Sequence, residues 1–249
     1  MLAEQRQEFI LSTVNRLRSI TVTELSEELK ASETTIRRDI ATLSARGLVN
    51  KVHGGATARA LEFVATDVSV NDKLQLYAEE KMSIGLAAAN LIEPNDFVFL
   101  DAGTTTLRLA EYLEPNGASF VTSGVAHASL MIKKGLRVYI LGGMLKAGTE
   151  AIVGVAALSS LEQYNFTKAF MGCNGIRTKE GLTTPDMEEA AVKAKAVERA
   201  MTTYVLADHS KFGKVSADSF STLAQATIIT DHCPDQLYRS LTNILEVSK

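Results

Sequence analysis

Beyond residue 100, small glycine and hydroxyl groups follow short apolar runs of the chain. The largest is Asp101-Ala102-Gly103-Thr104-Thr105-Thr106, and smaller ones are Ser123-Gly124, Gly142-Gly143 and Asp208-His209-Ser210-Lys211. Glycine lets the backbone approach a ligand closely, while hydroxyl groups and the N–H groups at a helix start bind phosphate oxygens. A lysine adds a positive point charge. Together these residue types indicate a site for a small anion, although each such turn by itself is common at the end of a strand.

The sequence contains neither GxxxxGK[ST] nor GxGxxG, so a small phosphorylated molecule is favoured over a nucleotide. The two cysteines, Cys173 and Cys233, belong to no CxxC pair and no Cys/His cluster. We therefore assign no metal site, no cofactor and no catalytic residue. Cys173 is expected to be a small buried residue rather than a nucleophile.

The elements that must position the anion site are short strands that alternate with helices. Six apolar runs are predicted as strands buried on both faces of a sheet, at 97–100, 119–122, 137–141, 168–171, 203–207 and 227–230. Helices are predicted at 77–92, 105–113, 125–134 and 186–202. This alternation predicts an α/β fold with a mainly parallel sheet, in which ligands bind at the carboxyl ends of the strands.

A second candidate site lies near the N-terminus, on a predicted helix that begins after Ser32. Ser32 is suited to cap this helix, and Ile36, Ile40 and Leu43 follow at the spacing of one apolar face. The other face carries Thr34, Thr35, Arg37 and Arg38. Hydroxyl and guanidinium groups are suitable for reading base edges in the major groove, although an arginine pair by itself is equally compatible with a solvated surface.

The neighbouring segments complete a winged helix-turn-helix pattern. Thr21 and Glu24 have the spacing of a capping box at the start of a short helix that runs through Leu29. An earlier helix is predicted from the helical spacing of Ile10, Val14 and Leu17. Residues 48–52 are predicted as a strand, and His53-Gly54-Gly55 provides the tight return of a wing.

The segment SETTIRRDIATLSARGLVNKVHGGA resembles the signature of the DeoR family of bacterial transcriptional regulators. LDAGTTT, MGCNGI, GLTT and ADHSKFG resemble the effector domain of the same regulators, which is similar in fold to ribose-5-phosphate isomerase and glucosamine-6-phosphate deaminase. The resemblance implies an effector pocket lined by Asp101, Gly103, Thr104, Thr105, Ser123, Gly142 and Gly143, and completed by Glu188, Asp208 and Lys211.

One departure from the isomerases bears on activity. They carry acidic residues in the turn that corresponds to Cys173 and Asn174. An isomerisation needs a carboxylate base with polarising partners, and Glu188 or Glu189 would be the candidate base. Acidic residues in the first turn of a helix are also favoured by its dipole alone, so this alternative stays open for both. A sugar-phosphate isomerase or deaminase with a DNA-binding head is the competing interpretation.

The 249 residues suggest a winged helix-turn-helix domain at 1–57, a linker at 58–76, where no period is sustained, and an α/β effector domain at 77–249. A net charge of −3 does not suit a sequence-blind DNA coater. We expect a cytoplasmic protein with no membrane partner, because neither a signal peptide nor a spanning segment is evident.

These expectations combine into a sequence-specific regulator, a repressor of a sugar-utilisation operon, whose partners are operator DNA and a sugar-phosphate effector. Thr34, Thr35, Arg37 and Arg38 would read the major groove, with Lys51 and His53 near backbone phosphates. One recognition helix contacts few base pairs, so we expect a homo-oligomer, a dimer or tetramer.

Overall fold

The structure is a computed structural model that describes residues 2–58, 62–66 and 70–247. It divides the chain into two compact units, Met1–Leu61 and Glu62–Lys249. Among the described residues, no helix is long and apolar enough to cross a membrane.

The first unit contains three helices and a small antiparallel sheet. Its elements are α1 (Ala3–Leu17), β1 (Ser19–Thr21), α2 (Val22–Leu29), α3 (Glu33–Ala45), β2 (Val49–Val52) and β3 (Gly55–Ala58). The sheet has the order β1-β3-β2. This is the predicted winged helix-turn-helix arrangement, in which β2 and β3 form the wing.

Local capping explains where the helices of the first unit begin. The Thr21 hydroxyl accepts a hydrogen bond from the backbone N–H of Glu24, and the Glu24 carboxylate accepts one from the N–H of Thr21. The Ser32 hydroxyl accepts from the N–H of Thr35 at the start of α3. Both predicted caps are therefore confirmed. Gly54, with φ +84°, makes the return of the wing.

The core of the first unit is built from the predicted apolar positions, with one exception. Ile10, Val14, Ile36, Ile40 and Leu43 are buried. The helix predicted from Ile10, Val14 and Leu17 is confirmed as α1, but the Leu17 side chain is 50% exposed. Leu17 ends α1, and the next residue adopts a left-handed conformation that turns the chain away from the helix axis.

The second unit has a central parallel sheet. Its seven strands have the order β17-β16-β13-β10-β5-β6-β7, and every neighbouring pair is parallel. The strands are β5 (Phe97–Leu100), β6 (Ser119–Thr122), β7 (Arg137–Ile140), β10 (Phe166–Gly172), β13 (Ala200–Leu206), β16 (Thr227–Thr230) and β17 (Asn243–Glu246). The predicted α/β fold with a parallel sheet is confirmed, and β17 is a strand that the sequence did not indicate.

Helices cover both faces of this sheet. The helices of this unit are α4 (Val70–Gln75), α5 (Ala78–Ala89), α6 (Thr104–Tyr112), α7 (Val125–Lys133), α8 (Val155–Glu162), α9 (Met187–Glu198) and α10 (Gln236–Leu241). Alternate strand residues enter two separate cores: Phe99 and Val205 pack with α8 and α9 residues, whereas Leu100 and Leu206 pack with α5 and α6 residues. Burial on both faces is the reason that the strands read as continuous apolar runs.

Smaller strands accompany the central sheet. They are β4 (Glu62–Val64), β8 (Met144–Leu145), β9 (Ile152–Val153), β11 (Gly175–Arg177), β12 (Gly181–Thr184), β14 (Lys214–Ser216) and β15 (Asp218–Ser221). The pairs are β4 with β14 and β8 with β9, and β11, β12 and β15 form a third small sheet. Short 3-10 helices at His209–Lys211 and Leu223–Gln225 follow β13 and β15.

Two sequence predictions need correction. The helix expected at 186–202 ends at Glu198, because the chain enters β13 at Ala200 and pairs there with Phe166 of β10. The predicted linker at 58–76 includes β4 and α4, which at three and six residues are too short to show a period. Residues 59–61 and 67–69 of that range lie outside the described residues.

Candidate functional site

The exposed face of α3 carries the residues predicted to contact DNA. Thr34, Arg37 and Arg38 are exposed, and Thr35 is half-buried. Arg37 pairs with Glu33 one turn earlier, with 2.9 Å between the guanidinium nitrogen and the carboxylate oxygen. Both side chains are largely solvated, so this ion pair contributes little to stability. Arg37 can therefore readily exchange Glu33 for a stronger partner. The first half of α3 therefore presents hydroxyl and guanidinium groups to solvent.

The wing presents two further residues of the predicted DNA surface. Lys51 lies on β2 and His53 lies in the turn between β2 and β3, and both are exposed. Their role near backbone phosphates stays a prediction.

A contact that the sequence analysis missed fixes α1 to α3. Asp39 is buried, and its carboxylate accepts hydrogen bonds from Arg6 Nε at 2.5 Å and from Gln7 Nε2 at 3.2 Å. Asp39 follows Arg38 directly. The pair therefore holds the exposed face of α3 in a fixed orientation relative to α1.

In the second unit, a pocket opens at the carboxyl ends of the central strands. It is lined by residues that follow β5, β6, β10 and β13, by α4 and α5, and by α9. The first turn of α6 also faces it, through Gly103, Thr104 and Thr105. The first N–H groups of a helix have no partner within the helix, so this end is suited to an anion. The pocket thus lies where the sequence predicted a ligand site.

Five of the ten predicted effector residues line the pocket: Asp101, Gly103, Thr104, Thr105 and Lys211. The others do not line it. Ser123 is buried beneath the turn after β6, where its carbonyl oxygen accepts from Ile152 N. Gly142 and Gly143 are exposed between β7 and β8. Gly142 and Gly143 lie outside the pocket because the chain after β7 turns into the separate β8–β9 hairpin, whereas Ser123 lies outside it because it is buried beneath the turn after β6.

The two remaining acidic predictions are displaced as well. In the first turn of α9, the pocket is lined by Glu189 rather than by Glu188. Asp208 is fully buried and caps the 3-10 helix that follows β13, accepting a hydrogen bond from Ser210 N at 3.0 Å. Its carboxylate is 3.7 Å from Lys211 Nζ, so it supports a pocket residue instead of lining the pocket.

A buried ion pair lies at one wall of the pocket. The ammonium group of Lys193, on α9, contacts the Asp101 carboxylate and also donates to the carbonyl oxygen of Gly172 at 3.2 Å. Asp101 accepts a further hydrogen bond from Gly172 N at 2.9 Å. Burial by itself lowers the pKa of Lys193, but the Asp101 carboxylate and Glu189 more than offset this and raise it. Lys193 is therefore a permanently charged group.

Lys81, on α5, is a second buried lysine of the pocket. It is 3% exposed, and its ammonium group donates to the carbonyl oxygen of Lys73 on α4. Burial lowers the pKa of Lys81 to about 8; Lys211, Lys73 and Arg108 add to this effect and Asp208 opposes it. Lys73, Lys81 and Lys211 all line the pocket. Their mutual repulsion makes the pocket receptive to an anion.

His127, on α7, is a neutral group that organises the turn after β5. Burial lowers its pKa to about 4, against the opposing effect of Asp101. Its Nε2 lies 3.1 Å from the carbonyl oxygen of Gly103 and 3.1 Å from Thr106 Oγ1. Because a carbonyl oxygen can only accept, Nε2 carries the proton. His127 thus holds the Gly103 turn in place.

Glu189, Cys173 and Glu150 are further reactive groups that line the pocket, and Glu150 is exposed. Glu189 accepts hydrogen bonds from Thr149 Oγ1 at 2.7 Å and from Lys146 Nζ at 3.0 Å. Burial of its sulfur raises the pKa of the Cys173 thiol to about 12, so it is a thiol at neutral pH; the residue as a whole is half-buried, whereas the sequence analysis expected a buried one. Within the described residues, no cluster of three or more His, Cys, Asp or Glu side chains is placed to hold a metal ion.

The sequence analysis did not predict the pocket residues Lys81 and Lys193, although the sequence contains a signal for both. Lys81 shares its helix face with the buried residues Ile84, Gly85 and Ala88, and Lys193 shares one with Ala190, Ala196 and Val197. A charged residue in apolar register is buried at a cost, so it marks a paired or ligand-binding group.

These features define the protein as a winged helix-turn-helix DNA-binding protein whose second unit carries a lysine-rich pocket. The profile of the DeoR-like helix-turn-helix domain matches residues 6–60, and that of the DeoR C-terminal sensor domain matches residues 77–232. The chain belongs to the DeoR family of transcriptional regulators, as the sequence analysis expected.

Two relatives match over nearly their whole length. A protein described as "uncharacterized HTH-type transcriptional regulator FruR" of Bacillus subtilis is 41% identical over 92% of this chain and 91% of its own. The lactose phosphotransferase system repressor of Streptococcus mutans is 34% identical over 99% of both chains.

Similarity to solved structures is weaker. A ribose-5-phosphate isomerase in complex with phospho-erythronic acid has a TM-score of 0.41, at 18% identity over 54% of each chain. The sorbitol operon regulator SorC from Klebsiella pneumoniae has a TM-score of 0.38, at 13% identity over 76% of this chain and 84% of its own.

Proposed function

We propose that this regulator is a repressor of a sugar-utilisation operon and that a phosphorylated sugar, bound in the pocket of the second unit, controls its affinity for operator DNA. The observation that carries this proposal is the convergence of Lys73, Lys81 and Lys211 with the N-terminal turn of α6 in one pocket. A phosphate group brings negative charge to this group of cations, and the polar turns supply partners for sugar hydroxyls.

The name of the 34% identical relative, a lactose phosphotransferase system repressor, supports a sugar operon as the target. Thr34, Thr35, Arg37 and Arg38 are the proposed readers of the major groove, with Lys51 and His53 beside the phosphate backbone. We propose that the protein is a dimer or tetramer. One α3 helix contacts too few base pairs for specificity, whereas two α3 helices can read two half-sites one helical turn, ~34 Å, apart. Its mass in solution tests that assembly.

The competing function is a sugar-phosphate isomerase or deaminase. Two of the three carboxylates that line the pocket argue against it, because Asp101 is paired with Lys193 and Glu189 is bound by Lys146 and Thr149; the third, Glu150, is exposed. A general base needs a carboxylate that can accept a substrate proton. The turn after β10 carries Cys173 and Asn174 in place of acidic residues.

A thermal-shift screen of pentose and hexose phosphates tests the proposal, with the unphosphorylated sugars as matched controls. We expect one or more phosphates to raise the melting temperature and to change the affinity for the operator upstream of a sugar operon. A ligand at a hundred times its Kd adds about 2.7 kcal/mol of stability. Indifference to every phosphate would refute the proposal, and turnover of a sugar phosphate that depends on Glu189 would favour the enzyme.

A further inference from the structure

The helix α4 and the strand β4 lie on the stretch of chain that follows the DNA-binding unit, and both are attached to elements of the pocket. β4 pairs in parallel with β14, and Glu62 pairs with Lys214 at 2.6 Å. Lys214 follows the pocket residue Lys211 by three positions. Two residues of α4, Val70 and Lys73, line the pocket directly.

The hydrogen bond from Lys81 to the carbonyl oxygen of Lys73 connects α4 to α5. α4 has six residues, and a helix of this length is not stable on the strength of its own backbone bonds. Its junction with α5 is Tyr77, which has a φ of +53° and makes an edge contact with the His209 ring at 5.1 Å between centroids. The Lys81 bond is therefore one of the contacts that hold α4 in position.

We infer that Lys81 transmits the occupancy of the anion pocket to α4: its ammonium group binds the anion and the Lys73 carbonyl oxygen together, and so fixes α4 against the pocket. This inference rests on the proposed function and adds the residue and the segment through which it is regulated. An ammonium group has three donors in total, which suffice for both partners.

The charges around Lys81 explain why the anion strengthens this bond. The charged groups that face it are Lys73 on α4, Arg108 on α6, and Asp208 and Lys211 after β13. Burial and this excess of cations lower the pKa of Lys81 to about 8, so a fraction of the protein has a neutral amine near pH 8. A bound anion favours the charged form. A charge-assisted hydrogen bond to the carbonyl oxygen is roughly twice as strong as a neutral one.

Hydrogen–deuterium exchange of the α4 amides, residues 71–76, tests the inference in the full-length protein. The probes are inorganic phosphate and, in a second arm, the sugar phosphates of the screen, with melting temperature measured in parallel. In the wild-type protein we expect the anion to slow α4 exchange several-fold. In Lys81→Met, whose side chain suits a buried site, we expect α4 exchange to be unchanged at an anion concentration that still raises the melting temperature.

Two further variants make the result specific. Lys211→Met removes another pocket cation, whose ion pair is with Asp208 rather than with α4. We expect weaker anion binding but full slowing of α4 exchange at saturation. Lys81→Arg, which keeps a buried cationic donor, should recover part of the slowing.

The outcomes separate the two proposals. Slowing of α4 exchange in Lys81→Met to the wild-type extent, or a rise in wild-type melting temperature without slowing, would overturn the role of Lys81 and leave the proposed function intact. If no anion of either arm raises the wild-type melting temperature, the proposed function fails and this inference fails with it.

Discussion

Lys193 and Asp101 form a buried pair whose two members depend on each other. Lys193→Met should destabilise the second unit by about 3–5 kcal/mol, because it leaves the Asp101 carboxylate buried without its cation. Adding Asp101→Asn should recover much of this loss, since the amide oxygen can still accept from Gly172 N. Denaturant unfolding of the single and double variants checks the coupling, and additive losses would contradict it.

His127 predicts a specific acid sensitivity. Its pKa is lowered from 6.5 to about 4 by burial, so below pH 6.5 the unfolded chain binds a proton that the folded protein does not. Stability should therefore fall as the pH falls from 6.5 to 4, by about 3 kcal/mol from this residue. In His127→Gln, whose amide N–H can donate to Gly103, this part of the pH dependence should be absent. Parallel stability profiles of the two proteins between pH 7 and pH 4 would contradict the assignment.

At the scale of elements, α5 and α6 approach each other closely at Gly85. A Cβ atom there would lie 2.7 Å from Leu109 N and 2.8 Å from the carbonyl carbon of Arg108. Gly85→Ala should therefore destabilise the protein by about 1–3 kcal/mol, although alanine favours an isolated helix by about 1 kcal/mol.

Gly148→Ala is the matched control, because a Cβ atom at Gly148 meets nothing within 4 Å. Its effect should stay within about 0.5 kcal/mol. Thermal unfolding of both variants makes the comparison, and a stabilising Gly85→Ala would show that α5 and α6 can move apart.

The capped α3 and the strand ends are the elements that the sequence defined best. Ser32, Ile36, Ile40 and Leu43 lie where their local pattern places them, because capping and helical periodicity act over a few residues. The end of the helix before β13 was predicted four residues late, because strand pairing with Phe166, far away in sequence, overrides local propensity.

At the scale of the whole molecule, the two units should have separable tasks. The double variant Arg37→Ala and Arg38→Ala should weaken operator binding roughly ten-fold or more, since each bidentate arginine contact is worth about 1–3 kcal/mol. Its thermal shift with the effector should equal that of the wild-type protein. Fluorescence anisotropy with labelled operator DNA measures the first effect.

Arg16→Ala is the control for this variant, because Arg16 is an exposed arginine of α1. The substitution removes a cation from the same unit and leaves α3 unchanged. Operator affinity should therefore change by less than about two-fold. Equal weakening by both variants would show a diffuse electrostatic contact in place of base reading.

The sequence by itself determined the winged helix-turn-helix unit, the parallel α/β fold and the edge of the sheet where a ligand site lies. Each of these follows from patterns within one element or from the rule that parallel strands end at one edge. Five of the ten residues that the family resemblance implied, among them Asp101 and Lys211, line the pocket at that edge.

Only the tertiary structure decided which charges meet. Lys81 comes from α5, before the Asp101 turn, and Lys193 and Glu189 come from α9, far beyond it; their side chains reach the pocket because both helices pack on the sheet. Conversely, Gly142, Gly143 and Ser123 fit the local pattern and lie outside the pocket. Local patterns fix helices and strands, but electrostatic partners are selected by packing between elements distant in sequence, which sets both burial and charge.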